Sequence, residues 1–380
     1  MSPSQSFHLP HPNRATPDLL IVAGEHSGDE HAARLVRELK AKHPELNIAA
    51  LGGPALEAAG AQLLHDMTAT SVVGFVEVLK NVRFFRALFC ETLRWIAEHK
   101  PKAVLLVDYP GFNLRLAAAL RERRLSIKGG GTVKVLYYIS PQIWAWKAKR
   151  RFTMARDLDA MAVIFPFEVA CYADTTLPVE FVGHPFAAPD YAPPVTFDSQ
   201  GPVLLLPGSR TQAVARIFPV LLAGFRASGQ RDAVVLYPSE DILAVLRAAN
   251  PPANIRFART GEPVRAAAVL TSSGTMSMHC ALAGIPGAIA YRTNPLTYLL
   301  GRMLVKVEYI GIANLLLREP MYPEYIQGAA TPEALAAELQ RCLNDPARRA
   351  KTAEQAARLK TLLSQSTGGT AADWLARRLT

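Results

Sequence analysis

The stretch Val203-Leu-Leu-Leu-Pro-Gly-Ser-Arg210 decides the fold of this chain. Its apolar run stops at a Pro-Gly pair, which is the pattern of a buried strand that feeds a loop. Gly208 allows the backbone to approach an anion closely, and Ser209 and Arg210 offer a hydroxyl and a bidentate cation. The stretch therefore predicts a strand followed by a phosphate-binding loop. An ordinary strand-to-helix turn is the alternative.

A second stretch, Ala266-Ala-Ala-Val-Leu-Thr-Ser-Ser-Gly-Thr275, repeats this device roughly sixty residues later. Its apolar run ends in Ser272-Ser273-Gly274-Thr275, where a helix is expected to begin. Free amides and a positive dipole make helix N-termini anion-binding sites. Each loop alone is compatible with a structural turn, but two of them in one α/β half predict a diphosphate ligand.

Continuous apolar strands alternate with helical patterns along both halves, which indicates parallel sheets covered on both faces. We predict a disordered lead at residues 1–17, a Rossmann-like domain at 18–188, a proline-bearing linker at 189–201, a second Rossmann-like domain at 202–345, and helices at 346–380. The last helices would pack on the first domain or on a partner subunit. Two such domains facing across a cleft form the GT-B architecture, an α/β fold whose ligands bind at the carboxyl ends of the strands.

Composition narrows the possible functions. The chain has 380 residues and a net charge of +10, so its partner is expected to be anionic: a nucleic acid, a phosphorylated small molecule or a membrane surface. Nucleic acid ranks last because there is no RNA-binding aromatic signature, zinc-finger spacing or dense basic block. Four scattered cysteines argue against zinc and disulfides, and for a reducing cytosol. No apolar stretch reaches spanning length, and residues 1–17 lack a signal-peptide pattern.

A series of motifs in a fixed order carries a family resemblance. They are Ala23-Gly-Glu-His-Ser-Gly-Asp29, Gly74-Phe-Val-Glu-Val-Leu79, Asp108-Tyr-Pro-Gly-Phe-Asn113, Ser140-Pro-Gln-Ile-Trp-Ala-Trp146, Phe165-Pro-Phe-Glu168, Val182-Gly-His-Pro185, Leu206-Pro-Gly-Ser-Arg210, Ser273-Gly-Thr275, Tyr291-Arg292 and Asn314-Leu-Leu316. With them the chain resembles the lipid-A-disaccharide synthases, a family of bacterial inverting glycosyltransferases with the GT-B fold.

The resemblance implies transfer of 2,3-diacylglucosamine from its UDP donor to 2,3-diacylglucosamine 1-phosphate. The product would be the β-1,6-linked disaccharide precursor of lipid A, with release of UDP. No cofactor is expected. We also expect no metal, because Asp157-Leu-Asp159 precedes a strand that the resemblance places away from the donor.

Three positions depart from the common family pattern. Gly111 stands where many members have an aspartate, and Ala213 replaces the usual acidic residue after Gly-Ser-Arg. His279 stands where a glutamate would be expected to hold the ribose hydroxyls.

Displacement at an anomeric carbon needs a base for the attacking hydroxyl and charge stabilisation for the departing diphosphate. We predict Asp108 as the base, since it ends a buried strand, with capping of the next helix as the alternative. His26 or Asp29 would assist proton transfer or orient the acceptor, although Asp29 also suits a helix N-terminus. Arg210 would stabilise the leaving group unless it is a surface arginine.

The remaining candidates fall into two groups. The donor group, which would contact phosphate, uridine or sugar, consists of Gly208, Ser209, Arg210, Ser273, Gly274, Thr275, His279 and Asn314. The acceptor group, in the first strand-to-helix turn, consists of Glu25, Ser27 and Gly28. Trp144 and Trp146, beside a basic run, would meet an interface, stack on sugar or pack in the core.

The apolar, cation-bearing stretch Val72–Phe89 raises the question of membrane contact. We predict an interfacial helix whose apolar face includes Phe75, Val78, Leu79, Phe84 and Phe85, with an amphipathic core helix as the alternative. A diacylated substrate favours the interfacial interpretation. The protein would then be cytoplasmic and peripherally attached to the anionic surface of the inner membrane.

Two rival functions remain open. One is another GT-B enzyme acting on a UDP-sugar, such as an epimerase or a soluble glycosyltransferase. The other is a non-catalytic relative that binds a UDP-sugar. A homodimer is compatible with either.

Overall fold

The computed structural model describes residues 7–14, 16–68, 75–188, 191–294, 298, 308–365 and 367–379, with only the backbone for 75–82. The chain divides into two compact units. The first comprises the residues up to Pro185 together with those from Gln365 onward, and the second runs from Phe186 to Ser364. The predicted linker at 189–201 thus falls inside the second unit, and the helices predicted at 346–380 are shared between the two.

The first unit is built on a seven-stranded parallel sheet. Its strands are β1 Leu19–Ala23, β2 Ile48–Gly52, β3 Gln62–Asp66, β4 Ala103–Val107, β5 Lys134–Tyr138, β6 Ala160–Val163 and β7 Val179–Phe181, in the order β3-β2-β1-β4-β5-β6-β7. Its helices are α1 His26–Lys42, α2 Pro54–Ala58, α3 Phe75–His99, α4 Pro110–Glu122, α5 Arg150–Asp157 and the 3₁₀ helices Ile127–Gly129, Pro166–Tyr172 and Pro185–Ala187, the last running into the second unit. Every residue of β1 and β4 is buried, as continuous apolar strands covered on both faces require.

The second unit repeats the design with a six-stranded parallel sheet. The strands of this unit are β8 Val195–Phe197, β9 Val203–Leu206, β10 Ala233–Tyr237, β11 Ile255–Arg259, β12 Val264–Ala266, β13 Ala268–Thr271, β14 Gly287–Tyr291 and β15 Glu324–Ile326. The main sheet has the order β11-β10-β9-β13-β14-β15, and β12 pairs with β8 in a separate two-stranded sheet. The helices are α6 Thr211–Ala227, α7 Glu240–Ala248, α8 Thr275–Leu282, α9 Ile312–Leu317, the 3₁₀ helix Gln327–Ala329, α10 Pro332–Asn344 and α11 Pro346–Leu363.

Both sheets therefore have the Rossmann strand order, and the prediction of two Rossmann-like domains is confirmed. In each sheet the order reverses between two central strands, β1 and β4 in the first unit and β9 and β13 in the second. Ligands of such folds bind beyond the carboxyl ends of the strands at this switch point. A ligand site is therefore expected at the loops that follow these four strands.

Residues 7–12 differ from the predicted disordered lead. Leu9 is buried, and its amide donates to the Glu91 carboxylate at 2.9 Å, while the Trp95 indole donates to the carbonyl of Pro10 at 2.9 Å. The Phe7 ring also contacts that of Phe84, so this segment packs against α3.

The last helix, α12 Ala371–Leu379, belongs to the first unit of the same chain. Asp373 accepts a hydrogen bond from Lys42 of α1 at 2.6 Å, and Arg377 donates to Glu180 of β7 at 3.0 Å. The chain thus returns to its first unit, one of the two arrangements that the sequence left open.

Candidate functional site

The first switch point brings two motifs together. Ala23 and Val107 are register partners at the carboxyl ends of β1 and β4, so the turns that follow them lie side by side. One turn holds Glu25 and His26, and the other begins with Asp108. Glu25 is half-buried and His26 is exposed at the first position of α1.

Ser27 is also half-buried, whereas Gly28 is buried against the end of β4. A Cβ added at Gly28 would lie 3.7 Å from the carbonyl oxygen of Val107. Of the five residues predicted to meet the acceptor or assist the base in this turn, Glu25, His26 and Ser27 are therefore accessible, while Gly28 serves helix–strand packing and Asp29 is buried.

Asp108 lies in an unusual backbone conformation. Its φ is +45° and that of Tyr109 is +48°, so two consecutive non-glycine residues occupy the left-handed region. Such strain persists only where the surroundings impose it, and it concentrates at functional sites. Here the Asp108 amide donates to the carbonyl of Tyr138 at 3.0 Å, and the Tyr137 hydroxyl donates to the carbonyl of Asp108 at 2.6 Å.

The alternative role of Asp108 as a helix cap concerns the start of α4. The N-cap of α4 is Tyr109, whose own side chain makes no capping hydrogen bond. The Asp108 side chain is partly buried beside the switch point. That position agrees with the predicted base.

The side chain of Asn113 holds this turn in place, a role that was not predicted from the sequence. It is fully buried, and its amide nitrogen lies 2.8 Å from the carbonyl of Asp108, 3.2 Å from that of Val107 and 3.3 Å from that of Val22. One side chain therefore joins the carboxyl ends of β1 and β4. The ring of Tyr109 covers Gly24, where an added Cβ would lie 2.2 Å from a ring carbon, so the two motifs are interlocked.

Asp29, predicted to assist catalysis, has a structural position. It is 1% exposed, and its two carboxylate oxygens accept hydrogen bonds from the amides of Gly53, Ala55 and Leu56 at 2.8, 3.0 and 3.2 Å. These amides form the free N-terminal turn of α2, so Asp29 caps a helix other than its own. The carboxylate is occupied by these bonds, and we do not carry Asp29 into the catalytic proposal.

Glu168 is a second carboxyl near Asp108 that sequence reasoning quoted only as part of a motif. It is 2% exposed, and the Phe165 amide donates to it at 3.1 Å. Burial raises the pKa of Glu168 to about 8 from its ordinary 4.5, and the negative charge of Asp108 adds to the rise. Two neighbouring carboxyl groups, one of which burial keeps neutral, are typical of sites that transfer protons.

The second switch point brings the two predicted phosphate loops together. Leu206 and Thr271 are register partners at the ends of β9 and β13, and the Ser272 amide donates to the carbonyl of Leu206 at 2.8 Å. Gly208 has a φ of +111°, and a Cβ there would lie 3.3 Å from the Ser272 hydroxyl. Glycine is therefore needed at this position both for its conformation and for the close approach of the two loops.

Two helices start from these loops. Arg210 is the N-cap of α6 and Gly274 is the N-cap of α8, and neither residue makes a capping hydrogen bond with its own side chain. Ser209, Arg210, Gly274 and Thr275 are exposed, and Ser273 is half-buried. The arrangement presents backbone amides, hydroxyls and a guanidinium at one point, which is suited to binding a diphosphate.

His279 and Asn314 are held in packing contacts. The His279 ring lies 4.0 Å from that of Phe186 and 5.7 Å from that of Tyr191, whose hydroxyl is hydrogen-bonded to His279 Nδ1. Asn314 is fully buried, donates to the carbonyl of Tyr322 at 2.7 Å and accepts from its amide at 2.9 Å. Both side chains position loops of the second unit, and the donor contacts proposed below do not include them.

Glu324 was missed by sequence reasoning although it follows the Asn314 motif. Its carboxylate accepts from the amides of Ile310 and Gly311 at 2.9 Å and from Asn314 at 2.8 Å. It therefore ties the segment before α9 to β15. The sequence signal for this role was weak: a Pro-Glu pair about ten residues after Asn314.

The predicted membrane helix is only partly described. α3 is a 25-residue helix, and the side chains of Phe75, Val78 and Leu79 lie outside the described residues. Phe84 packs on the core, with ring contacts at 5.5 Å to Phe7 and to His65. Phe84 and Phe85 are both half-buried, and their contact with a membrane stays a prediction. Within the described ranges, no helix has the length and apolar character needed to span a bilayer.

One potential metal-ligand cluster occurs in the part of the chain that the structure describes. It consists of His11, Glu98 and His99, whose ligand atoms lie within 4.8 Å of one another at the end of α3. It does not coincide with the loops at either switch point.

Comparison with known proteins places these motifs in one family. The family model described as lipid-A-disaccharide synthetase matches residues 19–376. A lipid-A-disaccharide synthase of Geobacter sulfurreducens is 38% identical over 369 residues, covering 92% of this chain and 94% of the relative. Lipid-A-disaccharide synthase 1 of Legionella pneumophila is 36% identical over 370 residues, with the same coverage of both chains.

Solved structures share the fold at low identity. A kitacinnamycin glycotransferase has a TM-score of 0.57 at 15% identity, covering 96% of this chain and all of that one. A spinosyn rhamnosyltransferase complexed with thymidine diphosphate has a TM-score of 0.55 at 15% identity, covering 94% of this chain and 99% of that one. These likenesses confirm the predicted GT-B fold.

Proposed function

The chain belongs to the lipid-A-disaccharide synthase family, and from this premise we propose the reaction that its two switch points carry out. The protein is a hexosyltransferase that makes the lipid A disaccharide. It joins UDP-2,3-diacylglucosamine to 2,3-diacylglucosamine 1-phosphate, with a β-1,6 linkage and release of UDP. The observation that carries this conclusion is the family match over residues 19–376, which includes both Rossmann-like units.

Asp108 is the proposed general base. The oxygen of the acceptor 6-hydroxyl attacks the anomeric carbon of the donor, its proton passes to the Asp108 carboxylate, and the bond from the anomeric carbon to the UDP oxygen breaks. A single displacement of this kind inverts the anomeric centre. The strained turn held by Asn113 and Tyr137 supports this role, because it fixes the carboxylate at the end of β4.

The leaving diphosphate belongs to the second unit. The N-termini of α6 and α8, together with Ser209, Ser273 and the Arg210 guanidinium, would receive its negative charge. Preorganised amides and an arginine act where charge develops in the transition state. On this proposal UDP departs without a metal ion, and activity should persist in EDTA.

We further propose that the enzyme works in the cytoplasm at the anionic surface of the inner membrane. Both substrates carry two acyl chains, which keep them in a lipid phase. The net charge of +10 favours attraction to such a surface.

The deciding experiment incubates the purified full chain with the diacylated UDP donor and the diacylated 1-phosphate acceptor in detergent micelles. Disaccharide 1-phosphate and UDP should appear in equal amounts by mass spectrometry. Parallel incubations replace the donor with UDP-N-acetylglucosamine, which lacks the long acyl chains. Turnover of that soluble donor alone would favour a soluble glycosyltransferase or an epimerase, and binding without turnover of either donor would favour a non-catalytic relative.

A further inference from the structure

A groove lies between α4 and α5 in the first unit. Its volume is about 310 Å³, which is in the range of small-ligand sites. The strands β4 and β5 are neighbours in the sheet, so both helices start from its carboxyl edge. Arg121, near the end of α4, donates to Asp157 at the end of α5 at 2.7 Å, so the two helices run side by side in one direction. The groove therefore extends along the pair to the edge of the sheet where Asp108 lies.

One end of the groove lies beside the turn of the proposed base. Its lining begins with Pro110 and Gly111, directly after that turn, and a Cβ added at Gly111 would meet no described atom within 4 Å beyond its neighbours. Arg150, at the first position of α5, lines the same end. Burial raises the pKa of the Tyr137 hydroxyl well above its ordinary value, and the charge of Arg150 opposes this rise. Because that hydroxyl donates to the carbonyl of Asp108, Arg150 acts close to the turn.

The groove has an excess of positive charge. As far as the structure describes it, the lining holds three arginines, Arg115, Arg150 and Arg156, and one carboxylate, Asp157. Asp157 accepts hydrogen bonds from Arg156 at 2.8 and 3.0 Å as well as from Arg121, so its charge is already balanced. Among the described residues, no carboxylate pairs with Arg115 or Arg150. Two such guanidinium groups in one groove suit an anion with several oxygens, such as a phosphate.

The substrates of the proposed reaction differ in their anomeric substituent. Donor and acceptor share the diacylated glucosamine, which carries UDP in one and a phosphate monoester in the other. In the acceptor, the 1-phosphate and the 6-hydroxymethyl group are attached to the two carbons that flank the ring oxygen. A sugar whose 6-hydroxyl reaches Asp108 therefore carries its phosphate close to the same turn, where the groove begins.

We propose that Arg115 and Arg150, in the groove between α4 and α5, bind the 1-phosphate of the acceptor. This assignment rests on the proposed function and names residues for its acceptor side. Each guanidinium donates to phosphate oxygens, and a dianionic monoester gains more from two such cations than a phosphodiester does. Binding there orients the 6-hydroxyl toward the Asp108 carboxylate. A second donor molecule, whose phosphate is esterified to another phosphate, offers no such monoester.

The test compares the acceptor with its dephosphorylated analogue, 2,3-diacylglucosamine, at saturating donor in phospholipid-free detergent micelles. The readout is the ratio of kcat/KM for the two acceptors. In wild type the phosphate should raise kcat/KM on the order of 100-fold. Arg115→Ala and Arg150→Ala should each lower this ratio about tenfold, since each removes one charge-assisted contact. Arg115→Ala/Arg150→Ala should bring the ratio close to one.

Arg123→Ala is the matched control. Arg123 is exposed at the C-cap of the same helix and does not line the groove, so the ratio should equal that of wild type. UDP affinity should be unchanged in every variant, because the nucleotide is proposed to bind in the second unit. Thermal unfolding checks that each variant is folded, and Arg115→Gln or Arg150→Gln replaces an alanine variant that is not.

A ratio that stays at the wild-type value in the folded double variant would overturn the proposal. So would equal kcat/KM of wild type for the two acceptors. Phosphatidylglycerol added to the micelles should leave the wild-type ratio unchanged; competition that the double variant lacks would assign the arginines to a phospholipid headgroup instead. Absence of disaccharide from wild type with either acceptor would refute the proposed function itself, whereas turnover with an unchanged ratio in the variants refutes only the phosphate assignment.

Discussion

Replacing Asp108 by asparagine separates the chemistry of its carboxylate from its place in the fold. The residue has a φ of +45°, and asparagine tolerates this left-handed conformation as well as aspartate does. The backbone contacts to Tyr137, Tyr138 and Asn113 use the Asp108 amide and carbonyl, which the substitution keeps. The free energy of unfolding should therefore change by no more than about 0.5 kcal/mol.

Turnover should fall much further. Loss of a general base costs on the order of 10²–10⁴-fold, which corresponds to about 3–5.5 kcal/mol in the barrier. UDP affinity should stay within about twofold of wild type, because the proposed base acts on the acceptor and the nucleotide is proposed to bind in the second unit. Alanine is the less informative substitution, since a left-handed alanine adds about 1–2 kcal/mol of strain to any catalytic effect.

Steady-state turnover in detergent, UDP titration and thermal unfolding of Asp108→Asn together decide the matter. The reasoning is refuted if the folded variant turns over within about threefold of wild type, and His26 then becomes the next candidate base. A large loss of UDP affinity would equally contradict it, because it would place Asp108 at the nucleotide.

Three further predictions concern the carboxyl groups and the arginine of the site. Native Glu168 keeps its proton to about pH 8, whereas the unfolded carboxyl loses it near 4.5, so the free energy of unfolding of wild type falls as the pH rises through that window. Glu168→Gln should lack this dependence. Relative to wild type in urea denaturation, the variant should therefore be more stable at pH 8 than at pH 6. A parallel pH dependence in both proteins would show that Glu168 is not protonated. Asp29→Ala should lower the free energy of unfolding by about 2–4 kcal/mol, because three amides of α2 lose their acceptor, yet turnover per folded molecule should stay near wild type; a loss of 10²-fold would restore Asp29 to catalysis. Arg210→Ala should weaken UDP binding about tenfold or more and lower turnover, and unchanged UDP affinity would remove Arg210 from the site. Arg216→Ala, at an exposed arginine further along α6, is the control.

The strand-to-helix turns could be predicted from the sequence because their signals are local. Val203–Leu206 was expected as a strand and is one, since a continuous apolar run ended by Pro-Gly has few other stable conformations. The same holds for the helix start at Thr275 and for the Rossmann order of the sheets, which follows once strands alternate with helices. The two predicted phosphate loops meet because parallel strands end at one edge of the sheet.

The partner of each polar side chain depended on tertiary structure. Asp29 suits a helix N-terminus by composition, but the helix it caps begins more than twenty residues later, where β2 returns beside β1. Asn314 was predicted to contact the donor, but its side chain is hydrogen-bonded to the backbone of Tyr322. Phe84 was predicted to contact a membrane, and its ring also contacts Phe7 from a distant part of the chain. The sequence by itself therefore determined where the strand-to-helix turns of the candidate site lie, since the backbone geometry of a turn depends on a few neighbouring residues. Only the packing of distant segments decided which side chains those turns leave exposed to a ligand, because a hydrogen bond or ring contact exists only when both partners have been brought together.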